Sequence, residues 1–175
     1  MAWWTNFLKD NLVTQELAKM VAEGEAETVL IEGLKSPPLY TLSGHTIERG
    51  LLDDVFFLSP FDILNVFRHR LRDFFKFDYQ IECYVAASNR KYGYFCLPIL
   101  IGDTFVARMD AKADRKQKLL IVHNLHFEAV ELSDMMIEKL TAALKAFVLF
   151  NQCRDIIFTR SNQPHYLDAI RKYFQ

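Results

Sequence analysis

From Phe77 onward the hydrophobic spacing changes from a helical repeat to alternation, and the alternating runs are joined by very short connections. The runs YQIECYVAA, YGYFCLPILI, TFVARMDAKA and KLLIVHNLHFE are rich in β-forming residues, and period-two patterning marks half-buried strands. SNRK, IGD and DRKQ are too short for the crossover that parallel neighbours need, so adjacent strands are expected to be antiparallel. The spacing therefore predicts a four-stranded meander from Tyr79 to Glu128, which is expected to curl into a small barrel.

One of these runs carries an unusual row of charges. Alternation places Arg108, Asp110, Lys112 and Asp114 on one side of the strand and Phe105, Ala107, Met109, Ala111 and Ala113 on the other. The row reads as an outward-facing ladder of cross-strand ion pairs, each worth at most about 1 kcal/mol. It also runs into Arg115, Lys116 and Lys118 at the following turn, and this extension fits a basic surface equally well.

The flanking segments read as helices. In LSPFDILNVFRHRLRDFFKF, Ser59 is placed to cap, Pro60 to open the helix and Asp62 to complete an acidic first turn. Leu64, Phe67, Leu71, Phe74 and Phe75 then form an apolar stripe, with Arg68, Arg72 and Lys76 four apart on another face. Beyond Ser133, a second N-cap, Met136, Ile137, Leu140, Leu144, Phe147 and Val148 make a broad apolar face that should seal the open side of the sheet. DIIFT at 155–159 reads as a further strand, and QPHYLDAIRKYF as a closing helix opening on Pro164.

Nearer the start, Leu17, Met20 and Val21 stand at helical spacing and Gly24 supplies a stop. ETVLIEG and, after Pro37-Pro38, LYTL follow as two short strands. Helix then hairpin is the second half of a winged helix, and MAWWTNFLKDNL, with Trp3, Trp4 and Phe7, is expected to add one short helix. The expected fold is thus α+β: a partial winged-helix element over residues 1–50, then a helix and antiparallel β-barrel with C-terminal helices over residues 51–175.

Composition narrows the function. The chain has 175 residues, 51% hydrophobic, with 21 Lys and Arg against 22 Asp and Glu. A net charge of -1 gives no bulk attraction to nucleic acid or anionic lipid, so any basic surface must be local. Most of the 15 Phe belong in a core. Cys83, Cys96 and Cys153 show no paired spacing and no apolar run reaches the length of a membrane span, which points to a reduced, cytoplasmic protein without a membrane partner.

Catalytic motifs are sparse. No nucleophile elbow, phosphate-binding glycine loop or paired-cysteine zinc site is present, so neither metal nor cofactor is expected. His123 and His126, three apart in a strand, should lie on opposite faces, a poor geometry for sharing a metal. Glu82 is expected to form a structural ion pair with Arg108, or to face Asp110. Cations at the SNRK and DRKQ turns, Arg90, Lys91, Arg115 and Lys116, are placed to meet phosphates from two hairpin tips, with Arg68, Arg72 and Lys76 extending the surface.

At Ser59-Pro60-Phe61-Asp62, Tyr92-Gly93-Tyr94, Leu97-Pro98-Ile99 and Arg108-x-Asp110-x-Lys112-x-Asp114-Arg115 the sequence resembles the C-terminal half of the winged-helix DNA glycosylases of the YcaQ and AlkZ type. The resemblance runs from about Leu17 to Phe127 and departs from the family at Phe67, Ala86 and Asn89. It implies tandem winged helices joined to a small β-barrel that cradles duplex DNA, in proteins that excise alkylated bases and unhook crosslinks. The family's catalytic motif, Gln, an apolar residue, then Gln or Asp, belongs to the N-terminal portion, and Gln80-Ile81-Glu82 is not its equivalent. The expectation is a non-catalytic, DNA-contacting C-terminal module. The alternatives are one half of a split glycosylase that assembles with a separate N-terminal chain or with itself, and a protein-interaction scaffold without DNA affinity.

Overall fold

A computed structural model describes residues 11–33, 39–45 and 54–174. The expected helix over residues 1–12 and the Pro37-Pro38 turn lie largely or wholly outside them. The chain divides into two compact units, residues 1–49 and 50–175.

In the first unit, helix α1 (Asn11–Ala22) ends at Gly24, whose φ of 76° is the left-handed conformation that stops a helix. Strands β1 (Ala26–Val29) and β2 (Leu39–Leu42) then pair antiparallel, with Ala26 opposite Leu42. Helix followed by hairpin is the order expected.

The second unit is built on a five-stranded sheet, in the order β3 (Val55–Phe57), β4 (Cys96–Ile101), β5 (Thr104–Asp114), β6 (Leu119–Phe127) and β7 (Asp155–Phe158). The first three pairings are antiparallel and β7 lies parallel to β6. A parallel neighbour needs a crossover, and α4 (Asp134–Phe150) supplies it. β3 and β7 remain as two edges, so the expected barrel is instead an open sheet.

α4 and α5 (Pro164–Arg171) cover one face. Ile137, Leu140, Leu144 and Val148 of α4, with Leu167 and Ile170 of α5, pack against Ile99, Ala107, Met109, Leu120, Val122, Leu125 and Phe127. Ser133 caps α4 as its sequence suggests, its Oγ accepting the Met136 N–H at 3.3 Å. The inward-facing residues of β6 change from even to odd numbers because β6 carries one extra residue, His123, between Val122 (opposite Ala111) and Asn124 (opposite Asp110). A bulge of one residue reverses the alternation.

The opposite face is covered as well. Leu71, Phe77, Tyr79, Leu100 and Phe105 form a second buried cluster there, with Phe77 stacked on Phe105 at 4.1 Å. Phe105 therefore does not share a face with Ala107, as simple alternation predicts. Val106 is the extra residue where β5 passes Ile99 and Leu100, and it shifts Phe105 to the side of Arg108.

The segment over that face departs from expectation in three places. Asp62, not Ser59, caps α2 (Ile63–Val66), its Oδ1 accepting the Leu64 N–H at 2.9 Å, so Pro60 lies in the turn ahead of the helix. Phe67, at φ −86° and ψ 68°, separates α2 from α3 (Arg68–Phe75), so one expected helix is two short ones. Nor is YQIECYVAA a strand: residues 76–95 form an irregular loop with a single 3-10 turn at Ala87–Asn89.

Candidate functional site: a polar recess beneath a carboxylate-pinned loop

The loop from Glu82 to Phe95 reaches the sheet without a strand partner, and two carboxylates satisfy its backbone. Glu82 accepts N–H groups from Lys91 (3.0 Å), Tyr92 (2.8 Å) and Gly93 (3.0 Å). Asp110, 9% exposed on β5, accepts those of Tyr94 (2.9 Å) and Phe95 (3.3 Å). Five consecutive backbone donors are thereby paired by two side chains in place of a strand partner. Asn124, opposite Asp110, donates to the Tyr92 carbonyl at 2.7 Å and holds the loop from the neighbouring strand.

Only glycine fits at position 93, because a Cβ there would overlap Oδ2, Cβ and Cγ of Asp110. The overlap couples Gly93 to Asp110, since a side chain at one position excludes the carboxylate of the other. Glu82 forms no ion pair with Arg108, contrary to expectation, and its partners are the loop's own N–H groups. Burial alone would raise its pKa, but the donors Gly93, Tyr92 and Lys91, aided by the charge of Arg108, hold it below the ordinary value.

Arg108 is 3% exposed, so the outward ladder is not formed. Its guanidinium lies between the rings of Tyr92 (3.9 Å) and Phe77 (4.5 Å). Nε donates to Glu128 Oε1 at 2.6 Å and Nη1 to the Asp78 carbonyl at 3.3 Å. A buried arginine is tolerable only when paired and hydrogen-bonded, and stacking on two aromatic faces adds cation–π attraction. Lys112 is exposed and Asp114 sits at the turn, so the row is divided into a buried half and a surface half.

Beneath the loop lies a recess of about 530 Å³ lined by Lys76, Asp78, Gln80, Glu82, Val85, Asn89, Lys91, Tyr92, Arg108 and Glu128. His126 stands beside it, edge-on to Tyr92 at 4.8 Å, and burial lowers its pKa. Cys96 is not a nucleophile at neutral pH, since burial, then the charges of Asp110 and Glu82, push its thiol up to about 12. His123 is the exposed bulge residue, remote from pairing with His126. Among the described residues no three His, Cys, Asp or Glu are grouped to hold a metal ion, and no helix is long and apolar enough to cross a membrane.

The structure separates the remaining basic residues into distinct settings. Arg90 is half-buried, its Nε donating to the carbonyls of Val85 (2.9 Å) and Glu82 (3.3 Å) while its guanidinium covers Tyr94. SNRK is thus part of the pinned loop and not a hairpin tip. Lys91 and Lys76 line the recess, whereas Arg68 and Arg72 are exposed on α3. At the β5–β6 turn Asp114 Oδ1 accepts the N–H groups of Lys116 and Gln117, both at 3.0 Å, and Arg115, Lys116 and Lys118 are exposed.

Sequence reasoning missed Glu128, Asn124 and Arg154. The last joins the basic turn through its N–H, which donates to the Lys118 carbonyl at 2.7 Å. Asn124 did carry a signal, an amide within an otherwise apolar strand; Glu128 and Arg154 lie far along the chain from their partners and carried none.

These groups also set a pH dependence. Glu82 and His126 both have folded pKa values below their ordinary ones, so the unfolded chain takes up protons first as the pH falls. Their stabilisation is complete above the unfolded pKa values and is lost as the pH falls through the folded ones. The urea midpoint is expected to fall from pH 7 to pH 5 through His126, then further below about 4.5 through Glu82. A His126→Gln variant should show a shallower decline between pH 7 and 5, and an identical slope would count against this assignment.

Fold and site together define a mixed α+β protein with a polar recess lined by three cations and three carboxylates and a basic hairpin tip. The profile of the family described as DNA glycosylase AlkZ-like matches residues 1–150, and the chain belongs to this AlkZ-like DNA glycosylase family. Membership relates the protein to DNA repair and implies DNA as a partner. No solved structure is significantly similar to the chain.

Proposed function

We propose that this chain is a DNA-contacting module corresponding to the C-terminal half of the AlkZ-like glycosylases, and that it carries no base-excision chemistry of its own. In this reading α1 and the β1–β2 hairpin are the second half of a winged helix. The observation that carries the proposal is the β5–β6 tip. Arg115, Lys116, Lys118 and Arg154 are exposed there on a chain of net charge -1, and none is in an ion pair among the described residues. Asp114 fixes the turn's backbone, so these cations are presented from a defined loop.

Such a cluster binds phosphates and orients a duplex without reading its sequence. Lys91 and Lys76 would meet the same strand nearer the recess, with Arg90, Arg68 and Arg72 as outlying contacts. The loop reaches β4 at Cys96, opposite Asp110, four residues before the turn at Asp114, or about 13 Å along a strand. The absence of catalysis is supported by Glu82, whose two oxygens are occupied by three backbone donors and are poorly placed to activate water.

The test is anisotropy of a labelled duplex titrated at several salt concentrations. Log affinity should fall linearly with log salt, by about 0.9 per phosphate contacted. Arg115→Glu should weaken binding to all sequences alike, roughly threefold to tenfold, and reduce the slope by about 1. Unchanged affinity would remove the tip from the interface, and flat anisotropy at low salt would end the proposal.

A further inference from the structure

We propose that the recess beneath the pinned loop is a phosphate-binding site in which Arg108 is the fixed donor and Lys91 and Lys76 are the adjustable ones. The inference stands on the recess itself and does not depend on whether the hairpin tip binds DNA.

Arg108 has five N–H donors, of which the described bonds use two, one to Glu128 and one to the Asp78 carbonyl. Among the described residues the only fully buried side-chain N or O atom without a partner is Asn65 Oδ1. The remaining Arg108 nitrogen, Nη2, is therefore not sealed in the protein. Since Arg108 is a wall of the recess, its small accessible surface opens there. The aromatic rings on either side and the Glu128 bond hold the guanidinium in place before any ligand arrives, which lowers the ordering cost of binding.

The formal charges of the lining balance, three against three, so it is the available hydrogen-bond donors and not net charge that favour an anion. Lys76, Lys91 and Arg108 line the recess, as do Asp78, Glu82 and Glu128. Glu82 is engaged by three backbone donors and Glu128 by Arg108, which leaves Asp78 as the one acid whose carboxylate has no described partner. A tetrahedral phosphate offers acceptors in several directions and so can meet more than one of these donors, whereas a carboxylate offers two in one plane. The volume, about 530 Å³, falls in the range of small-molecule pockets, about 300 to 1,000 Å³. It accommodates a nucleotide around the phosphate, with the amides of Gln80 and Asn89 as further polar wall.

The full chain, labelled with ¹⁵N, is titrated with inorganic phosphate, deoxyadenosine 5′-monophosphate and deoxyadenosine, following the Arg108 Nε–Hε resonance. Saturable shifts with the two phosphate-bearing probes and none with deoxyadenosine are expected. Lys91→Gln, an exposed substitution that leaves the fold intact, should weaken binding by roughly fivefold, and Glu128→Gln should tighten it by removing the competing charge. If Glu128→Gln does not fold, Lys76→Gln takes its place, with weakened binding expected. An unmoved Arg108 resonance, an equal shift with deoxyadenosine, or unchanged affinity in Lys91→Gln would overturn the proposal. A 5′-phosphorylated tetranucleotide that binds more tightly than the mononucleotide would identify a strand as the source of the phosphate, and the reverse order a free nucleotide. Arg115→Glu should leave these affinities unchanged even where it weakens duplex binding, so the two proposals fail separately.

Discussion

Gly93→Ala is expected to destabilise the protein by about 3 kcal/mol, lowering the thermal midpoint by roughly 10 °C. The added Cβ would occupy the position of the Asp110 carboxyl, and neither group can easily retreat. Asp110 is fixed by the N–H groups of Tyr94 and Phe95 and by its place in β5, and Gly93 by Glu82. Separating them breaks several of the five backbone bonds and leaves a buried carboxylate short of donors, at a cost of about 1 to 3 kcal/mol per unsatisfied group. Circular dichroism melts of the two proteins decide the matter; a midpoint within about 2 °C of the parent would mean that the loop moves aside freely. Phosphate binding should fall with stability, because the same loop carries Lys91 and Tyr92.

Arg108→Met should cost about 3 kcal/mol in urea denaturation, near the lower end of values for breaking a buried ion pair. The side chain of Glu128 is 21% exposed, so solvent partly relieves the charge left behind. Loss also comes from the Asp78 carbonyl and from the two rings that enclose the guanidinium. Replacing both partners, as Arg108→Met with Glu128→Met, should recover much of the loss, because two apolar groups have no desolvation penalty to offset. Additive costs in that double variant would show that Arg108 acts mainly by stacking. Arg108→Lys should also destabilise, since an ammonium lacks the planar fork that stacks and donates in two directions at once.

Several elements were legible in the sequence for identifiable physical reasons. Helix α4 combines a Ser133 cap with a long apolar face, and the β5–β6 hairpin joins two alternating runs through a polar turn. Those are local signals, written within a few residues of the structure they specify. The run YQIECYVAA misled because it does alternate: Tyr79 is buried in the second cluster while Gln80 is exposed and lines the recess. The alternation arises from a loop lying between a core and a cavity. Its neighbour's N–H groups are paired by carboxylates and not by strand carbonyls.

The sequence by itself determined that Arg108 and Asp110 share a side of one strand, that α4 is amphipathic, and that the cations near residues 115 to 118 stand at a turn. These follow from backbone periodicity, which depends on neighbours along the chain. Only the tertiary structure decided that the charged side of β5 is half covered, that Arg108 pairs with Glu128 twenty residues away, and that the bulges at Val106 and His123 change which residues face each other. Periodicity specifies which side chains lie together, but whether water or another segment covers them is set by long-range packing, and that packing turned a presumed surface ladder into the wall of a recess.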